Sequence, residues 1–180
     1  ILLDYDRVNI FAVEYAAVPA GFNTRAEVAY YLTDDIAGDD PAVTNNSVQY
    51  LAGFDRDLPL SNLNVNIQGV GTYYLHSQEI EENYEKRKEF DFQYDEEGEY
   101  TNHIVSAALT DSYVNETVKP EVALSYGIEN EDWYFNPSVE FSLLDDVKLL
   151  VGVTVFHGQK GYFGQYDGND FAEIRLEYSY

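Results

Sequence analysis

Three features of the sequence predict an all-β chain, an antiparallel transmembrane β-barrel of about nine strands that is part of a larger barrel. Apolar and polar residues alternate with period two almost throughout, and helical periodicity occurs almost nowhere. The alternating runs span roughly 10–14 residues, longer than a globular strand of about 5–6 and sufficient for the ~9–11 that cross a bilayer. The connections alternate between long, acidic segments and short turns, the asymmetry of outer-membrane barrels.

Weaker runs open the chain at 5–17 and 25–34. In the second, Ala26, Val28, Tyr30 and Leu32 oppose Glu27, Ala29, Tyr31 and Thr33. A further weak run, 47–56, leads to 62–75, where Leu63, Val65, Ile67, Tyr73 and Leu75 oppose Asn64, Asn66, Gln68 and Thr72. After a weak run at 102–113, residues 118–128 set Val118, Val122, Leu124, Tyr126 and Ile128 against Lys119, Glu121, Ala123 and Ser125. In 133–143, Trp133, Phe135, Val139, Phe141 and Leu143 oppose Tyr134, Asn136, Ser138, Glu140 and Ser142. In 147–157, Val147, Leu149, Val151, Val153 and Val155 oppose Lys148, Leu150, Gly152, Thr154 and Phe156. The clearest run, 170–180, has Ala172, Ile174, Leu176, Tyr178 and Tyr180 on one face and Glu173, Arg175, Glu177 and Ser179 on the other.

Consecutive antiparallel strands place alternate connections at opposite ends. One end would therefore carry 35–46, 76–101, 129–132 and 158–169, and the other 18–24, 57–61, 114–117 and 144–146. Residues 76–101 hold ten acidic residues against Lys86, Arg87 and Lys88, and this segment is expected to fold over the mouth as a constriction.

Composition narrows the function. Lys and Arg number 10 and Asp and Glu 33, a net charge of −23. That charge argues against a nucleic-acid partner gripped by basic patches and against a polybasic membrane-surface module. With no Cys, disulfide scaffolds and thiol chemistry are excluded. The absence of Met suggests a mature or partial chain. No run approaches the ~18 apolar residues of a spanning helix, and no signal peptide is recognisable. Aromatics reach 16%, too many for a disordered acidic chain. The length suits a single domain over 1–180.

Two resemblances follow from particular residues. The last run ends on an aromatic with apolar residues at every second position before it. It resembles the terminal signal strand of Gram-negative outer-membrane barrels, with Tyr180 in place of the commoner Phe. Three stretches, Arg25–Tyr31 with Gly38–Pro41, Leu51–Arg56 leading to Gln68, and Tyr162–Tyr166, resemble a porin-like group of large outer-membrane barrels. The resemblance implies outer-membrane localisation, lipid and lipopolysaccharide as surroundings, and the barrel-insertion machinery as a partner read through the last strand. A homo-oligomer is compatible with it. Bacterial single-chain barrels have an even strand number, so nine strands imply that this chain is the C-terminal part of a longer barrel.

The polar faces supply the candidate site. Glu27, Asn64, Asn66, Gln68, Glu121, Glu140, Glu173, Arg175 and Glu177 would line a pore, where carboxylates favour cations. The alternative is an ordinary solvated sheet face. Tyr73, Trp133, Tyr134 and Phe135 near one end, and Tyr178 and Tyr180 near the other, would form the two interfacial aromatic belts. His76, His103 and His157 fall at the long-loop end. His76 and His103 could approach as metal ligands, but no third ligand has suitable spacing, and rim residues are the simpler reading. The acidic groups Asp34, Asp35, Asp39, Asp40 and Asp167, Asn169, Asp170 could hold divalent ions bridging to lipopolysaccharide, or simply be solvated. No hydrolase, zincin or phosphate-loop motif is present, so no enzyme, metal or cofactor is expected. The expected function is passive diffusion of small solutes, cation-favouring, through a porin-like channel. A non-transporting barrel with acidic loops for adhesion, assembly or partner binding is the first alternative. A soluble secreted β-sandwich is the second.

Overall fold

The computed structural model describes residues 7–179. The chain is all-β. Its strands are β1 (Asn9–Ala17), β2 (Asn23–Leu32), β3 (Ser47–Asp57), β4 (Asn64–Tyr74), β5 (Thr101–Thr110), β6 (Val118–Gly127), β7 (Asp132–Leu144), β8 (Val147–His157) and β9 (Phe171–Tyr178). They form one sheet in strict chain order. A sandwich would need two packed sheets. Among the described residues β1 and β9 are its edges. Residues 5, 6 and Tyr180, read as strand from the sequence, lie outside the described residues.

The chain gathers into two compact units. One comprises Arg25–Ala52, Val70–His103 and the described part of the chain up to Tyr15; the other comprises Ala16–Thr24, Gly53–Gly69 and the described chain from Ile104 onward. In the second unit the register fixes which residues share a face. Val105, Ala107 and Leu109 of β5 oppose Tyr126, Leu124 and Val122 of β6. Leu124 and Tyr126 in turn oppose Phe135 and Trp133 of β7. Val139 and Phe141 oppose Val151 and Leu149 of β8, and these oppose Ile174 and Leu176 of β9. One apolar face thus runs unbroken over five strands, as expected when a period-two pattern is paired in register.

That face is open. Val122, Leu124, Tyr126, Val151, Val153, Ile174 and Leu176 are all exposed, Ile174 by 77%. The opposite face is the more covered one: Gly152 and Thr154 of β8 are buried. Among the described residues, only Ala29, Ile80 and Tyr100 are buried hydrophobics. A water-soluble sheet does the reverse, burying its apolar side against a second layer.

Helix occurs where no helical period was expected. Connection 75–100 contains α1 (Ser77–Glu81) and a π-helical segment (Glu82–Arg87). Ile80 and Asn83 of this segment are fully buried, and the Asn83 amide donates to Asp91 Oδ2 at 3.2 Å. The Tyr84 and Tyr94 rings stack at 3.8 Å. Burial, reinforced by nearby Glu85, raises the Tyr94 pKa. The other helix, α2 (Gly161–Gly164), lies in connection 158–170.

Candidate functional site

The polar side of β5–β9 brings together part of the expected pore lining. Across β6 and β7, Glu121 opposes Ser138 and Lys119 opposes Glu140. With Asn62, Thr110, Asp111, Ser112, Glu116 and Leu150 they border a recess of about 370 Å³. Its chemistry is that of a short polar wall rich in carboxylates. Lys148 pairs with Glu140 at 3.2 Å, and Arg175 pairs with Glu173 on the same strand. Two of the face's bases are therefore engaged by acids, and on the recess itself Asp111, Glu116, Glu121 and Glu140 outnumber Lys119 and set its sign. Glu177 opposes Lys148 across β8 and β9.

The remaining expected pore-lining residues sit elsewhere. Asn64 donates to Asp57 Oδ1 at 2.9 Å, and Asn66 and Gln68 follow it along β4. Glu27 is exposed on β2, in the other unit. Ser138 was placed on the polar face by its parity and Thr110 and Asp111 within the weak run 102–113, but none was singled out as lining, and Glu116 belongs to a connection. Alternation locates the faces of strands but is silent about turns that curl against them.

That connection, 111–117, is tied down by polar contacts. Asn62 N donates to Asp111 Oδ1 at 3.0 Å, and Asn62 Nδ2 to Ser112 O at 3.1 Å. The Tyr113 hydroxyl donates to Asp111 Oδ2 at 2.6 Å. This bond holds the Asp111 carboxyl below its usual range, helped by the Ser112 and Asn62 N–H groups, and raises the Tyr113 pKa. The signs follow directly. The depressed carboxylate contributes stability above the unfolded pKa of ~3.9, lost as pH falls through its folded value. The raised phenol contributes stability below ~10, lost as pH rises through its folded value. Titration of the Asp111 carboxyl by NMR should give a midpoint below ~3.9 that moves up in Tyr113→Phe. An unmoved midpoint would show that the hydroxyl does not set it.

The aromatic belts are divided. Trp133 and Phe135 lie on the open apolar face, with Tyr126 and Val155 opposite. Tyr178 is exposed at the end of β9, and Tyr73 is exposed on β4. Tyr134 differs from the expectation. It points the other way, opposite Ser125 and Phe156, and its ring stacks on Phe163 at 6.0 Å. Period two requires this, since Tyr134 falls between two outward residues. The Tyr180 position lies outside the described residues.

The histidines and acidic clusters have structural partners. His103 lies against the Tyr50 ring at 5.8 Å. His157 lies against Trp133 at 5.3 Å and 3.5 Å from Asp167. His76 adopts a left-handed backbone before α1. Asp35 is buried and accepts the Gly38 and Asp40 N–H groups, both at 2.9 Å. It is the staple of its own loop. Among the described residues no group of three or more His, Asp or Glu is placed to hold a metal.

Asp132, assigned from sequence to a turn, is the least expected polar residue. It is 1% exposed at the start of β7, opposite Gly127. Its Oδ2 accepts the N–H groups of Phe163 at 2.6 Å and Gly164 at 3.1 Å, some thirty residues downstream. The only sequence signal is the run of glycines at 158, 161 and 164, which permits that approach. No protein-family profile, curated protein or solved structure matches the chain.

Proposed function

We propose that the chain forms part of an outer-membrane β-barrel that acts as a porin-like channel, admitting small solutes by passive diffusion and favouring cations. One observation carries the reading. The sheet leaves its apolar face exposed over five consecutive strands and turns its carboxylates to the opposite side. Lipid is the environment in which that arrangement is stable, because a barrel wall presents apolar residues outward and polar residues to its lumen. No helix among the described residues is long and apolar enough to cross a membrane.

Selectivity follows from the wall. Fixed carboxylates in a confined passage raise the local cation concentration and repel anions. Salt screens the effect beyond a Debye length of ~8 Å at physiological ionic strength. Cation preference measured as reversal potential across a KCl gradient should therefore fall as salt rises. Combining Glu140→Gln, Glu173→Gln and Glu177→Gln should shift that potential towards zero. Anion selectivity in the unaltered protein would sink the cation reading. Absence of conductance would favour the barrel with adhesive or assembly loops.

Orientation gives a separate test. In the antiparallel order, connections 33–46, 75–100, 128–131 and 158–170 alternate with 18–22, 58–63, 111–117 and 145–146. Protease added to intact cells should cut within 75–100 and spare the turn at 145–146. Cutting at 145–146 instead would invert the proposed topology.

A further inference from the structure

We infer that connection 158–170 is the segment that narrows the polar path, and that Asp132 is the residue that positions it; the inference rests on the channel reading above. The geometry is specific about the side on which this connection lies. Asp132, Tyr134 and Phe156 share the face opposite Trp133, Phe135 and Val155, by the β7–β8 register. All three touch the connection. Asp132 binds the backbone of Phe163 and Gly164. Tyr134 stacks on Phe163, and Phe156 meets the Tyr166 ring at 5.4 Å. Asp170 closes the far end by accepting the Phe156 N–H at 2.9 Å.

The connection therefore folds back over the polar wall and does not project from the sheet. The glycines explain how it comes so close. A Cβ on Gly158 would meet Asp132 Cβ at 2.6 Å, and one on Gly161 would meet Asp132 Oδ2 at 2.6 Å. Both have positive φ, at 146° and 90°. On the same face, Thr154 is 5% exposed and its hydroxyl accepts a hydrogen bond from the Asn136 amide at 2.9 Å. Further along the same face, the recess bordered by Glu121, Ser138, Glu140 and Leu150 is open. The wall is thus covered at its 158–170 end and uncovered beyond it.

Connection 75–100 was expected to be the constriction. It is tied to connection 33–46, where Asn45 N donates to Gln93 Oε1 at 2.6 Å and Arg87 Nη1 donates to Asp39 O at 3.5 Å, and to the end of β4, where Tyr74 N donates to Tyr100 O at 3.0 Å.

A positioned constriction differs from a merely stabilising loop in what it does to solute size. The test is planar-bilayer recording of the intact protein, with neutral polyethylene glycols of graded size as probes. Asp132→Ala should raise unitary conductance by about twofold or more and admit larger polymers, since passage depends on pore diameter. Cation preference should persist, because Glu121 and Glu140 are untouched. Asp132→Asn keeps an acceptor for the Phe163 and Gly164 N–H groups and should restore most of the size limit. Replacing residues 159–168 by two glycines removes the segment without altering Asp132, and should widen the passage equally. Unchanged conductance and size limit in whichever variants insert would overturn the inference and leave the channel reading intact. Loss of insertion in both Asp132→Ala and the shortened variant would also overturn it, making the segment a folding element. A silent wild type would overturn the channel reading and the inference together.

Discussion

Val151→Arg should abolish or sharply reduce stable insertion, whereas Leu150→Arg, one residue away, should be accommodated. Val151 lies in the middle of β8 on the open face, between Val139 and Ile174, and is 40% exposed. An arginine facing lipid at mid-depth costs about 2–4 kcal/mol. That corresponds to roughly a thirtyfold to several-hundredfold loss in the folding equilibrium. Leu150 opposes Glu140 and borders the acidic recess, where a guanidinium finds carboxylates. Thr154 shares the face of Leu150 but is a poor site for the comparison. It is buried and bonded to Asn136, so an arginine there would clash for reasons unrelated to lipid. Folded yield in lipid vesicles, read from heat-dependent gel mobility and urea titration, checks the pair. Equal damage at 150 and 151 would mean that the two faces share one kind of environment.

The second large effect concerns Gly127→Ala. Gly127 ends β6 directly opposite Asp132, and a methyl group there would collide with Asp132 Oδ1. An aspartate free to rotate would simply turn away. This one is held by two backbone N–H groups through Oδ2 and is almost wholly buried. Its Oδ1 has no hydrogen-bond partner among the described residues, so the methyl removes no bond there. The cost is displacement of the carboxylate from Phe163 and Gly164, about 1–3 kcal/mol by analogy with other overpacked sites. The urea midpoint should fall and residues 158–170 should become more susceptible to protease. A wild-type midpoint would show that the carboxylate moves without loss.

The strands were legible because a two-faced sheet writes its faces into every second residue. β6 and β8 begin and end within a residue of the alternating runs that predicted them. Val151 and Thr154 take the two sides their parity assigns. The helices were illegible for an equally physical reason. α1 supplies one turn, too short for a 3.6-residue period to emerge. α2 contains two glycines in four residues, a composition that disfavours helix. Its N–H groups are met by Asp132, a partner distant in sequence. Local propensity cannot report a contact made by a residue thirty positions earlier. Tyr134 illustrates a different conflict: its chemistry suited an interfacial belt, but its parity placed it on the face opposite Trp133 and Phe135, and parity prevailed.

Each strand pairs with its neighbours in the chain and with no others among the described residues. Every connection therefore closes one hairpin, and its length is an entropic matter local to that hairpin. Connection 75–100 is twice as long as 158–170, and a doubling of a flexible loop costs only about 0.6 kcal/mol of closure entropy. Length can accumulate at that end almost without energetic consequence for the ladder. The two-residue turn at 145–146 has no such latitude. One residue added within the paired segments beside it would exchange the two faces of a strand, setting glutamates where valines had been. Tolerance to insertion is thus unequally distributed along this chain, generous where the connections are long and nearly absent where they are tight.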